Sequence, residues 1–183
     1  MQVVFAAILT LLAPLPVKSG PLPAMSRDAV AVRVALDDAT IVAIYDAANT
    51  ADIETGGLGA KKGGTQKIRD YGAMLVTAHT GARQQGRDLA KKLGVTPTPP
   101  KDDQSAVQHA AAMKQLRAAS GKAFDRAFLQ HEIDYHKAVI AAVTNTLLPA
   151  IQNAELKALV VRVAPVFQQH LQAAEQLLAG LGN

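Results

Sequence analysis

The amino-acid sequence predicts an all-α protein: a four-helix bundle in which a long crossover, carrying a short helix of its own, joins the second helix to the third. Three observations lead there. Alanine supplies 35 of the 183 residues, aromatic residues number seven, and Trp is absent, a balance that suits close-packed helices better than sheets of β-branched and aromatic residues. Along four stretches, apolar residues return at alternating steps of three and four, which places them on one helix face. Pro97, Pro99, Pro100 and Pro149 stand between those stretches, where helices must stop. With 49% hydrophobic and 19% charged residues, the chain has the composition of one folded domain with a substantial core. It contains no cysteine, which excludes a disulfide scaffold, Cys-ligated zinc and a cysteine nucleophile.

The N-terminal run Val3 to Leu15 is apolar apart from Thr10. It is shorter than the roughly 20 residues a membrane-crossing helix needs, so it reads as the hydrophobic region of a secretory signal, although no Lys or Arg precedes it. Prolines at 14, 16, 21 and 23 follow, and Ser19 or Ala24 offers a small residue for cleavage. The expected organisation is a signal peptide over 1–24, a linker and the start of the first helix over 25–36, and the helical domain over 37–183. The expected location is periplasmic or secreted, and not as a lipoprotein, because there is no cysteine to acylate.

The first helix is expected from Asp28 to about Lys62, with a stripe of Val30, Val34, Ile41, Tyr45 and Ala48. Gly56, Gly57, Gly59, Gly63 and Gly64 should fray its end, since each interior glycine costs roughly 1 kcal/mol against alanine. The same GGLGAKKGG stretch is no phosphate loop: neither the Gly-Lys-Ser/Thr ending nor a preceding strand is present. The second helix, Thr65 to Leu93, carries the cleanest seam, Ile68, Gly72, Leu75, His79, Ala82, Gly86, Leu89 and Leu93. Small residues at 72, 82 and 86 should admit a partner helix closely, and Gly94 should cap the end.

The connection from Gly94 to Ala119 is too long for a turn between neighbours. It should carry a short helix, capped by Asp102 or Asp103 and running to Arg117, with Val107, Ala110, Ala111, Met113 and Leu116 as its apolar positions. The third helix opens at Ser120 and shows two stripes, Leu129, Ile133, His136, Ile140, Val143, Leu147 and Phe124, Phe128, Tyr135, Ala142; Pro149 should end it. The fourth starts near Asn153, with Leu156, Val160, Val163, Phe167, His170, Ala174, Leu177 and Leu181 inward and Pro165 kinking it. Two short hairpins and one long crossover make this bundle ferritin-like.

Charge is segregated. Asp28 to Glu54 holds six acids against Arg33, and Lys61 to Lys101 holds nine bases against Asp70 and Asp88. Adjacent antiparallel helices with complementary edges account for this pattern. Nucleic acid is not expected as a partner, because the basic segment offers only Tyr71 for stacking. Peripheral contact with an anionic envelope surface through the second helix, and self-association as a homo-oligomer, are the partner expectations.

His79, His136 and His170 interrupt otherwise apolar seams, and Glu132 lies one turn before His136. Imidazoles converging in a dry core suit a transition metal ion such as Zn, Fe or Cu, with Glu132 in reach of the same ion. Counting residues from the hairpins at 1.5 Å each sets Glu132 about 3 Å and His136 about 9 Å in height from His170, so Glu132 with His170 is the expected pair. Core histidines hydrogen-bonded to a carboxylate or carbonyl are the structural alternative. A ferritin-type di-iron centre is not expected, because Val76, Ile133 and Phe167 occupy the position three before each histidine, where Glu-x-x-His requires Glu. Of the first-helix acids, Asp46 faces away and Glu54 lies nearer the inner face but off centre. His109 and His131 fall outside the seams and read as surface or interface residues.

The stretches ANTADIETGGLGAKK, KIRDYGAMLVTAHTGA, DLAKKLGVTPTPP, GKAFDRAFLQHEIDYHKAVI and APVFQQHLQAAEQL occur in that order. Together they resemble the domain of unknown function 4142 family, exported bacterial ferritin-like proteins often labelled outer-membrane proteins. The resemblance covers about Asp38 to Leu178 and implies a periplasmic four-helix bundle with no established activity. It also implies recurrent polar positions at Glu54, His79, His136 and His170. The chain departs from that pattern at Ala78, where the family tends to place an acid. The functional expectation is a non-enzymatic exported bundle serving the cell envelope or a stress response; the alternative is a metal-binding bundle for storage, sensing or detoxification, using His79, Glu132, His136 and His170.

Overall fold

A computed structural model describes residues 36–182. The expected signal peptide, the linker and the stripe positions Val30 and Val34 lie outside the described residues. The described chain is all-α. Its elements are α1 (Asp38–Lys62), α2 (Gln66–Leu93), α3 (Ser105–Ala118), α4 (Gly121–Ala142), a π-helical turn (Val143–Leu147), α5 (Leu148–Ala150) and α6 (Ala154–Ala179). Helices α1 and α2 pack as one antiparallel hairpin, and α4 and α6 as the other. The pairs α2 with α6 and α1 with α4 close the four-helix bundle, while α3 on the crossover packs on α1 and α4.

Helix boundaries follow from capping chemistry. The Asp37 carboxylate accepts from Thr40 N at 2.8 Å, so α1 begins at Asp38, ten residues after the expected start. Thr65 accepts from Ile68 N to open α2, and Gly94 closes it with φ 66°. Asn153 accepts from Glu155 N and Leu156 N to open α6. At the crossover Asp103 accepts from Ser105 N; of the apolar positions assigned to α3, Met113 and Leu116 are buried but Val107 is 65% exposed.

The expected fraying of α1 does not occur: the helix runs unbroken to Lys62. Gly56 and Gly59 of α1, and Gly72 of α2 facing them, are sites of close approach. A Cβ on Gly72 would lie 2.4 Å from Ala60 N and 2.6 Å from Gly56 O, and one on Gly59 would lie 2.3 Å from the Phe128 ring. The packing gained by bringing helices together this closely offsets the local propensity cost.

Winding also continues past Pro149, to Ala150. Proline has no N–H and its ring crowds the carbonyl four residues back. The preceding π turn, closed by Leu148 N–H on Val143 O, widens the helix where that crowding falls. Pro165 likewise sits inside the continuous helix α6. Carboxylates fasten both hairpins: Asp125 accepts from Gly64 N at 2.8 Å, and Asp38 accepts from Gln152 N and Asn153 N at 3.0 and 2.9 Å. The charge-segregated edges of α1 and α2 meet, with Arg87 Nη2 donating to Asp46 Oδ2 at 2.9 Å.

The core divides into two apolar clusters. One contains Ile41, Tyr45, Val139, Leu147, Leu156, Val160 and Phe167. The other contains Ile68, Leu75, Phe124, Phe128, Leu129, Leu171 and Ala174. Where the two clusters meet, the buried polar residues are Asn49, Asp52 and Thr55 on α1, His79 on α2, Glu132 and His136 on α4 and His170 on α6. A polar layer therefore crosses the bundle at mid-height.

Candidate metal centre

Each helix delivers its polar residue to this layer because that residue lies on the helix's apolar face. Tyr45, Asn49, Asp52 and Thr55 follow one another at steps of four and three, so the inward face of α1 continues as polar residues beyond Tyr45. His79 lies four after Leu75, Glu132 and His136 flank Ile133, and His170 lies three after Phe167. Exposure is 3% for Asp52, 2% for His79, 0% for Glu132, 1% for His136 and 4% for His170.

The three imidazoles converge. Ring centroids of His79, His136 and His170 are 5.1 to 5.8 Å apart, and His79 Nε2 is 3.2 Å from His170 Nδ1. One nitrogen from each ring falls within 4.8 Å of those of the other two; one atom each of Asp52, Glu132 and His136 does the same. His136 is common to both groups, which therefore adjoin.

Partners on the far side of two rings set their tautomers. His79 Nδ1 is 2.9 Å from Asn49 Oδ1, and the Asn49 amide nitrogen donates to Tyr45 O at 2.8 Å, which orients its oxygen towards the ring. His79 thus donates from Nδ1 and presents an Nε2 lone pair inward. His136 Nδ1 donates to Glu132 O at 2.9 Å, leaving Nε2 as its inward lone pair, 4.0 Å from Asp52 Oδ1. Histidine metal ligands are positioned by such contacts. Stacking on Phe167 at 6.0 Å and 6° fixes the His79 ring plane, and Tyr71 Oη donates to His170 O at 3.2 Å.

Asp52 Oδ1, both carboxylate oxygens of Glu132 and His136 Nε2 are buried without a hydrogen bond of ordinary length and angle among the described residues; the Asp52 and Glu132 carboxyls face each other and Thr55 faces Glu132, while His136 Nε2 has no such neighbour. Burial shifts every group towards its neutral form. His79 is pushed down to about 3, chiefly by burial and then by His136 and His170. His136 and His170 are pushed down to about 4, again mainly by burial. Asp52 is raised by burial, by the nearby Glu132 charge and by a hydrogen bond with the Glu132 carboxyl; Glu132 is raised by burial, against hydrogen bonds from Thr55 and Asp52 that pull it down.

The expected site is therefore brought together in part. His79, Glu132, His136 and His170 all reach the layer. Glu54 does not: it is on the surface of α1, with His109 Nε2 2.8 Å from its Oε2. The expected pairing of Glu132 with His170 is also revised, because His136 closes on His170. The turn between α5 and α6 lies at 151–153, beyond Pro149, so His136 sits 14 residues before Ala150 and His170 sits 16 after Ala154. Their heights then differ by about 3 Å. Asp52, unconsidered in the sequence, is the added acid, and extending the α1 stripe one heptad from Tyr45 would have reached it. His131, read as surface, is only partly exposed and stacks on Tyr135 at 5.8 Å.

The family described as Domain of unknown function (DUF4142) matches residues 23–177. The chain belongs to this family. The matched region includes every residue of the polar layer. No curated protein and no solved structure matches the chain. Among the described residues no helix is long and apolar enough to cross a membrane. The layer can hold a metal in chemical terms: it offers three imidazoles and two carboxylates from all four long helices.

Proposed function

We propose that this DUF4142 protein is a metal-binding bundle that retains one divalent first-row transition ion in its polar layer, held by His79 Nε2, His136 Nε2 and His170 Nδ1, with the adjoining Asp52 and Glu132 carboxyls supplying compensating charge and Asp52, 4.0 Å from His136 Nε2, the nearer of them to a fourth position. The observation that carries this reading is the convergence of three buried imidazoles, one nitrogen of each within 4.8 Å of the others, with the inward His136 Nε2 left without a hydrogen-bond partner among the described residues. A buried polar group without a partner costs about 1 to 3 kcal/mol. Two carboxylates and a divalent cation sum to zero charge, which suits a dry interior. Donors on an ion with bonds near 2.1 Å lie about 3.4 Å apart in a tetrahedral set. The observed separations, within 4.8 Å, need side-chain contraction of about an ångström or more.

The donor types, nitrogen and oxygen without sulfur, suit Zn, Fe or Cu over softer ions. A centre this enclosed keeps an ion from solvent, so the reading is storage, sensing or detoxification rather than turnover of a substrate. The N-terminal run Val3 to Leu15 supports an exported location for this role.

Metal analysis of the purified protein and of the His79→Ala, His170→Ala double variant is the test. About one metal per chain in the wild type, lost from a variant with an unchanged helical circular-dichroism spectrum, is expected. A wild-type protein that takes up no Zn²⁺, Fe²⁺, Cu²⁺ or Co²⁺ on titration would overturn the proposal.

A further inference from the structure

The metal centre is closed, so an ion must have a way in. A cavity of about 380 Å³ lies between α1, α3 and α4, with Thr50, Ala51, Glu54, His109, His131 and Tyr135 in its wall. Three of these residues stand immediately before a residue of the centre in sequence: Ala51 before Asp52, His131 before Glu132 and Tyr135 before His136. Successive residues on a helix point about 100° apart. The cavity and the centre therefore occupy adjoining faces of the same two helices. Tyr135 lines the cavity, and its ring meets the His136 ring edge-on at 6.3 Å.

The wall carries ligand chemistry of its own. Glu54 and His109, joined at 2.8 Å, have side chains 50% and 20% exposed. His131 is partly exposed and stacks on Tyr135. A hydrated divalent ion with six waters, at about 30 Å³ per water, needs about 180 Å³, which the cavity exceeds.

On the reading that the bundle binds a metal, we infer that this cavity is a docking site for the hydrated divalent cation, whose water shell hydrogen-bonds to the Glu54–His109 pair and to His131 in the cavity wall, and from which the ion passes Tyr135 into the centre. Glu54, excluded from the centre by its position, gains a role here. Residues on α3 form one wall, so the crossover helix serves as the outer side of the access route.

Loading kinetics test this. Co²⁺ is added to metal-free protein and the visible absorption of the ion bound to nitrogen and oxygen donors is followed in time. The His109→Ala, His131→Ala double variant should load at least ten-fold more slowly than wild type, yet reach the same stoichiometry and the same final spectrum. Ala106→Trp, at an exposed position in the cavity wall, should slow loading likewise by filling the space. Loading of both variants at the wild-type rate would overturn the docking route while leaving the centre intact. Wild-type protein that never develops the Co²⁺ spectrum would instead remove the metal centre, and the route with it.

Discussion

At His79 an asparagine decides what an imidazole can do. Asn49 Oδ1 takes the Nδ1 proton, and the ring is left with one lone pair facing inward. Asn49→Ala should weaken metal affinity by about 10- to 100-fold, the usual cost of losing such a partner, with stoichiometry at saturation unchanged by calorimetric titration. The titrating groups pull metal-free stability in two directions. His79, His136 and His170 have folded values of about 3, 4 and 4 against an ordinary 6.5, so the unfolded chain takes up their protons first. Their contribution is complete above about pH 6.5 and is lost as pH falls towards 4. Asp52 and Glu132 are raised, so the folded chain keeps protons that the unfolded chain releases. Their contribution is present below about pH 4 and is lost as pH rises through the raised values. Tyr71 and Tyr135, the other titratable groups facing the layer, are raised by burial and by the two carboxylates, and stay protonated throughout. With chelator present, the wild-type melting temperature should fall between pH 6.5 and 8, and Glu132→Gln should flatten that fall. An equal slope in both proteins would show that Glu132 is already ionised in the metal-free fold.

Among the elements, α1 shows how packing overrides propensity. Gly57 is exposed, and a Cβ there would meet only Val76 Cγ2 at 4.0 Å; Gly59 is buried, with the Phe128 ring 2.3 Å from the same construction. Gly57→Ala should therefore stabilise the protein by about 0.5 to 1 kcal/mol. Gly59→Ala should destabilise it by about 1 to 3 kcal/mol. Chemical denaturation of the pair separates a helix held by its own propensity, in which both changes would stabilise, from one held by its neighbours. The crossover helix is fastened at its end by Lys62, whose ammonium donates to the carbonyls of Leu116, Arg117 and Ala119 and lies 5.0 Å from the Phe124 ring centroid. This joins the end of α1 to the end of α3.

For the molecule as a whole, the polar layer is a break in an otherwise continuous core, flanked by apolar clusters on both sides. On the proposed reading an ion there would bind the folded state only, because only that state brings His79, His136 and His170 together. At a free metal concentration 100 times the dissociation constant, stability should rise by about 2.7 kcal/mol. The corresponding upward shift in melting temperature should vanish in the His79→Ala, His170→Ala variant and persist in Glu54→Gln, since Glu54 lies outside the centre. Surface pairs such as Lys92 with Glu155 and Lys137 with Glu175 should each contribute less than about 1 kcal/mol.

Periodicity, caps and breakers are local signals, and from them the linear chain alone specified an all-α bundle, four long helices, the crossover helix and three inward histidines. Each of those properties depends on residues within a turn or two of one another. Which side chains meet across helices depends instead on how far each helix winds before turning and how closely its neighbour approaches. Pro149 reads as a stop, but the π turn carries winding past it and moves His136 level with His170. In the sequence Asp52 is one acid among six and Glu54 the acid nearer the inner face; only when α1 docks against α2 and α4 does the first become a buried neighbour of the histidines and the second a surface residue beside His109. The axial offset between helices is a property of the packed bundle, and an error of two residues, about 3 Å, is enough to exchange one ligand for another.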